Sequence, residues 1–324
     1  MQQMPLCRLL GVRYPILQGA LGPHDTSYLA IAVSRAGGFG VLSTSEAEDP
    51  YSDTRLQIQK LAWEGKPFGI NIPVNSYSSK TRLRAIFDEL ENESVRRTLK
   101  AVITSAGSPT WCAADLPKRS VAHFQVVASV KHAKKAEDAG CSGVIAEGYE
   151  SGGHVSAGAG VTTRVLGPAV IEAVRLPVVA AGGLIDGKGL VAALALGASG
   201  IQMGTRLYMT SEAKFADPKL QGALLHADVS DTTIVPGTYG ENRHWSNQFT
   251  TELLALVRAG ASREEIEVVK KKGRQEKHGG NPLLASVPIG MAIGRISDVK
   301  SVEQIFARII EEAGQSIREL SAVI

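Results

Sequence analysis

The chain has 324 residues, 44% hydrophobic and 21% charged, enough to bury a large core and too apolar for a disordered segment. Its formal charge of +3 balances 35 Lys and Arg against 32 Asp and Glu, dispersed along the chain, which excludes nucleic acid as an expected partner. Cys7, Cys112 and Cys141 lie far apart without C-x-x-C spacing, against a disulfide framework or a zinc site and in keeping with a reducing cytoplasm; Arg8 and Arg13 interrupt any signal-peptide core, and no apolar stretch is long enough to cross a membrane.

Short apolar runs recur along the chain at intervals that leave room for a helix between them. In order they are 16–18, 39–42, 68–72, 101–104, 123–127, 143–146, 178–181 and 200–203, eight strand candidates in all. Helical patterns at 28–35, 130–139, 163–174 and 190–196 fall between them, the last closed by Gly197. Eight alternating units predict an α/β fold, a (β/α)₈ TIM barrel with its active site at the carboxyl ends of the strands. The alternation stops after Thr205. Residues 211–288 carry helical patterns at 251–258 and 263–272 and a turn-rich segment at 235–240, so they are expected to form an inserted, mainly helical lid. Residues 1–210 and 289–324 then make up the barrel, with 302–320 as its last helix. The mixed-sign run 263–277, with Glu267 four residues before Lys271, reads as a solvated helix face.

The stretch 176–205, LPVVAAGGLIDGKGLVAALALGASGIQMGT, reads as strand, glycine turn, helix, strand and second glycine turn. Gly182-Gly183 and Gly204-Thr205 therefore cap neighbouring parallel strands, a layout in which backbone amides form a phosphate site. Gly182, Gly187 and Lys188 have the spacing of a P-loop, but the following residue is Gly189, where that motif needs a hydroxyl for magnesium. Other expected strand ends also offer polar or glycine residues: Gln18-Gly19, Asn71, Ser105-Ala106-Gly107, Gln125, Glu147-Gly148 and Gly152-Gly153-His154. Singly, each reads as a turn glycine or a satisfied amide; together they form the kind of multi-loop constellation that catalysis on this fold uses.

His154 is the candidate reactive group, flanked by Gly152, Gly153, Gly158 and Gly160 in what reads as a flexible loop over the barrel mouth. An imidazole there can take a proton, give one, or hold an anion. His24 also lies near a strand end, His132 and His226 fall on expected helices, and His123 reads as structural. Trp111 and Trp245 are expected in the core, and Tyr239 and His244 of the lid are placed to reach a substrate.

The segments 15–19 (PILQG), 36–40 (AGGFG), 67–71 (PFGIN), 106–107 (AG), 146–154 (AEGYESGGH), 180–183 (AAGG) and 202–206 (QMGTR), in this order, resemble the nitronate monooxygenase family. That family includes the flavin-dependent enoyl-acyl carrier protein reductases of type II and some NAD(P)H:quinone reductases. The resemblance covers nearly the whole chain and implies an FMN at the top of the barrel. Its phosphate would lie on Gly182, Gly183, Gly204 and Thr205, beside Ala181, Gln202 and Met203. Its ring would lie against the backbone at Gln18, Gly19 and Ala20, with Asn71, Ala106, Gly107, Gln125, Glu147, Gly152 and Gly153 around it. His154 matches the catalytic histidine, which positions or deprotonates the substrate. Ala20 and Leu21 stand where the family has glycine and methionine. Ser156 replaces a further glycine, and 157–160 resembles a small insertion beside the substrate.

The resemblance implies an FMN oxidoreductase that oxidises alkyl nitronates with oxygen; no residue is assigned to a metal. Within the same family, the alternative is an NAD(P)H-dependent reductase of enoyl thioesters or quinones. From a different class, a flavin-free phosphate-binding barrel, an isomerase or lyase with His154 as acid and base, fits the glycine turns but leaves the amides of Gln18, Asn71 and Gln202 unexplained. The expected partner is a small-molecule substrate, with a homodimer as a compatible assembly.

Overall fold

The computed structural model describes residues 4–43, 47–155, 160–237 and 240–323. The parallel strands are β1 (Ile16–Gln18), β2 (Gly40–Leu42), β3 (Phe68–Pro73), β4 (Leu99–Ser105), β5 (Ala122–Val127), β6 (Gly143–Glu147), β8 (Val178–Ala181) and β9 (Gly200–Met203), with a short strand β7 (Gly153–His154) outside this sheet. They pair in the order β1-β9-β8-β6-β5-β4-β3-β2. Beyond that sheet, a parallel bridge joins Leu17 to Phe39, and the Gln18 N–H donates to the Phe39 carbonyl at 3.0 Å. The Gln18 side chain adds a bond to the Val41 carbonyl at 2.8 Å. The eight strands thereby form a nearly closed TIM barrel.

Side chains rather than a channel fill the barrel. Leu17, Phe39, Val41, Ile103, Phe124, Ile145 and Val179 interlock there, and Leu6 and Leu10 of the helix Pro5–Leu10 pack against the same cluster. Burial of each large apolar side chain of this kind contributes about 1.5–3 kcal/mol. The glycines of the 36–40 segment allow close packing. A Cβ at Gly40 would lie 2.0 Å from the Ala30 carbonyl, so only glycine lets the helix Ser27–Arg35 settle on β2. The helix Val302–Ser321 packs beside Gly187–Ala195 through Ile305, Phe306 and Ile309.

Between β9 and that helix lie the helices Pro218–Leu224, Gln248–Arg258 and Arg263–Gln275. This segment also holds a hairpin, β10 (Thr232–Pro236) and β11 (Glu241–Trp245), across the part the sequence marks only as turn-rich. β11 pairs in turn with β7, making a three-stranded antiparallel sheet. The insertion follows the eighth barrel strand, so it leaves the barrel at its carboxyl-terminal face. No helix among the described residues is long and apolar enough to cross a membrane.

Candidate functional site

A cavity of about 1290 Å³ lies at the carboxyl ends of the strands, walled on one side by the barrel and on the other by residues of the segment between β9 and the last helix. The structure brings Gly19, Ala20, Asn71, Ala106, Gly107, Gln125, Glu147, Gly152, Gly153, His154, Ala181, Gly182, Gly183, Gln202, Gly204 and Thr205 to its walls. Gln18 and Met203 lie behind the wall, both wholly buried, Gln18 closing the barrel and Met203 in the apolar cluster between barrel and helices.

The two glycine turns stand side by side because β8 and β9 are neighbours. Gly182 and Gly183 have φ of +103° and +73°, conformations that a side chain rarely adopts. A Cβ on Gly182 would come within 2.7 Å of the Thr163 hydroxyl, whereas one on Gly204 would meet only Leu21, at 3.8 Å. The N–H groups of Gly183, Leu184, Gly204 and Thr205 donate to no protein acceptor among the described residues. Lined-up amides without protein partners at a cavity wall suit an anion such as a phosphate. The P-loop spacing is occupied differently. Asp186 caps the helix Gly187–Ala195 by accepting from Gly189 N–H at 2.7 Å, and Glu312 takes the Gly187 N–H at 2.9 Å.

On the opposite arc, Ala106 has φ of +51°, and its carbonyl accepts from Asn75 N–H. Left-handed alanine costs about 1–2 kcal/mol, a strain that concentrates at ligand sites. The Gln125 amide is fixed from behind. Its carbonyl oxygen accepts from the Thr104 hydroxyl at 2.5 Å, and its NH₂ donates to the carbonyls of Val126 and Gly107. Thr104 contacts His123 Nε2 at 2.6 Å, and Cys141 Sγ lies 3.4 Å from His123 Nδ1. Burial holds His123 down to about 4 and Cys141 up to about 12, so this network is neutral at physiological pH. With Thr104 donating to Gln125, His123 supplies its Nε2–H to Thr104.

Two carboxylates line the barrel side. Burial raises Glu147 to about 7, against a smaller opposing pull from the Ser151 hydroxyl. Glu150 is pinned by the Thr163 N–H at 2.8 Å and the Thr163 hydroxyl at 3.1 Å. Neither Glu150 nor Thr163 is singled out by the sequence motifs as a site residue.

His154 sits on a strand rather than in a free loop. Gly153 and His154 pair antiparallel with Arg243 and Asn242 of β11. A Cβ on Gly152 would lie 2.4 Å from the Ile289 carbonyl carbon, so glycine permits this strand to press against the 289–290 segment. Ser156 and Gly158 lie outside the described residues, as does Tyr239. Strand alternation puts His154, Asn242 and His244 on one face, and all three line the cavity. Burial lowers the pKa of His154, leaving a neutral imidazole able to accept a proton at neutral pH. His244 is held down to about 3 by burial first and then by its cationic neighbours, Lys277 foremost, and its Nδ1 is buried without a partner. Trp245 points into the lid core, and Trp111 packs beside the barrel cluster. His24 stacks on Phe215 at 5.0 Å and lines the cavity.

The 263–277 run is not wholly a solvated face. Glu267, Lys270, Arg274 and Lys277 line the cavity, and Glu267 pairs with Arg274. Their helix docks by Val269 onto Phe249 and Leu253, which turns one charged edge inward.

A model of the family described as nitronate monooxygenase matches residues 3–312. The chain is 33% identical over 296 residues, 90% of its length and 79% of the relative's, to (3aS,4S,5R,7aS)-5-hydroxy-7a-methyl-1-oxo-octahydro-1H-indene-4-carboxyl-CoA dehydrogenase of Rhodococcus jostii. It is 30% identical over 292 residues, 76% of this chain and 81% of the relative, to a probable nitronate monooxygenase of Staphylococcus saprophyticus. Among solved structures, FabK from Thermotoga maritima superposes with a TM-score of 0.90 at 31% identity, covering 99% of each chain.

Proposed function

The chain belongs to the nitronate monooxygenase family, an oxidoreductase family, and from that premise we propose that it works as an FMN-dependent oxidoreductase with His154 as its proton-handling group. The observation that carries this reading is the pair of glycine turns on β8 and β9, four partnerless amides across one cavity from His154. When bound, FMN supplies two-electron redox chemistry that no side chain of this cavity can provide. The amides of Gly183, Leu184, Gly204 and Thr205 would hold its phosphate. The Gly19-Ala20 backbone and the side-chain amides of Asn71, Gln125 and Gln202 would face the ring.

The neutral His154 imidazole is suited to taking a proton from carbon next to a nitro or carbonyl group, or to holding the resulting anion. Its place on the short sheet with Asn242 and His244 fixes its approach, and residues 211–288 act as a lid that keeps bulk water from the reacting atoms. Alkyl nitronates, oxidised with oxygen, are the first substrate class of this reading. A second class is acyl thioesters. The similarity to a carboxyl-CoA dehydrogenase points to it.

The test is anaerobic mixing of the purified protein with propionate nitronate, NADH, NADPH or a hydroxyacyl-CoA, following the flavin absorbance. Bleaching by one of these donors is expected and assigns the electron source. A flavin that none of them reduces would overturn the oxidoreductase reading.

A further inference from the structure

The glycine turns account for one anion, and the cavity has a second cationic region far from them in sequence. Lys270, Arg274 and Lys277 line it at intervals of four and three residues, the spacing that puts side chains on one helix edge. At 1.5 Å rise per residue they span roughly 10 Å, longer than a single phosphate. Arg274 shares its charge with Glu267, and Lys270 forms no ion pair among the described residues. His244 lines the same cavity, and Val235, Phe249 and Leu253 lie almost wholly buried in the core on which this helix sits. The depression of His244 by the charges of Lys277 and Lys270 agrees with both ammonium groups facing inward.

We infer that the inward edge of the helix Arg263–Gln275, with Lys277 just beyond it, is a subsite for a phosphorylated adenosine diphosphate tail. The molecule reacting beside His154 is then carried on such a tail. Two molecules share this chemistry, a coenzyme A thioester and a reduced nicotinamide dinucleotide phosphate. An alkyl nitronate has no use for the subsite. The inference rests on the cavity being the redox site proposed above, and it deepens that reading by naming what the lid wall binds.

The test is calorimetric titration of the purified, flavin-loaded protein with CoA, NADPH, NADH and inorganic phosphate, at low and high salt. The same titrations are run on Lys270→Ala/Lys277→Ala, with flavin content read from absorbance. Binding of CoA or NADPH is expected, weakening as salt rises, with a loss of roughly tenfold or more in the double variant at unchanged flavin content. Preference for CoA assigns a thioester, and preference for NADPH assigns the electron donor. Equal binding by the double variant, binding of inorganic phosphate alone, or no binding by any of the four would overturn the subsite. A protein that binds CoA but neither carries nor takes up FMN would instead overturn the flavin reading while leaving the subsite standing.

Discussion

On its barrel side the cavity is bounded largely by backbone at strand ends, and on its lid side by side chains carried on a hairpin and a helix. The barrel wall depends on glycines at positions where a Cβ would collide or a φ would be forbidden, as at Gly182. The lid wall depends on pairing between β7 and β11, which brings His154 beside Asn242 from far along the chain. A cofactor common to many reactions calls for a fixed cradle, whereas substrate choice calls for side chains that can be exchanged without disturbing it. Variants on each wall should therefore separate flavin retention from chemistry.

The largest expected effect is on the barrel wall. Gly182→Ala puts a methyl group against the Thr163 hydroxyl at a φ of +103°. It should cost about 1–3 kcal/mol and strip the protein of flavin, read as absorbance per chain after gel filtration. Full flavin content would show that the turn is not the cradle. On the lid wall, His154→Asn should keep its colour while flavin reduction by a donor that must lose a proton, such as a hydroxyacyl-CoA, slows by roughly a hundredfold or more, the scale of a lost general base. Unchanged stopped-flow traces would take His154 out of the chemistry.

Glu147 sharpens the comparison through pH. Its folded pKa of about 7 lies above the ordinary 4.5, so the fold favours the protonated form. That contribution is whole below the ordinary value and is lost as pH rises through about 7. Glu147→Gln does not titrate, so its thermal stability should gain on the parent between about pH 5 and about pH 8, by about 1–2 kcal/mol once water in the cavity is allowed for. A gap that stays constant with pH would place the carboxyl in ordinary surroundings. The smallest effect is at Ala106, where glycine removes left-handed strain at φ +51°. Ala106→Gly should stabilise by at most about 1 kcal/mol in denaturant unfolding, and a clear loss would mean the methyl group packs usefully.

The same contrast explains what could be read from the chain alone. Barrel strands are short, continuous apolar runs set off by Pro15, Pro67 and Pro177, and three of them, Ile16–Gln18, Val178–Ala181 and Gly200–Met203, coincide with their sequence boundaries. The cradle is legible because glycine is demanded locally. The strand Glu241–Trp245, ENRHW, is polar with no alternation, because Asn242 and His244 face the cavity while Arg243 on the other face bonds the Tyr149 carbonyl and the Thr232 hydroxyl, and so it reads as loop. Lys270, Arg274 and Lys277 look like a solvated edge because the facing cavity is assembled by Phe249 and Leu253 on another helix. Gln18 shows the converse. Its position at a strand end is local information, while its use in closing the barrel on Val41 depends on a strand formed elsewhere.

The most direct measurement is the absorbance spectrum of the purified protein together with the mass of whatever heat releases from it. The account predicts a yellow protein that releases FMN in a ratio near one per chain. A colourless protein that takes up no FMN on incubation would contradict it.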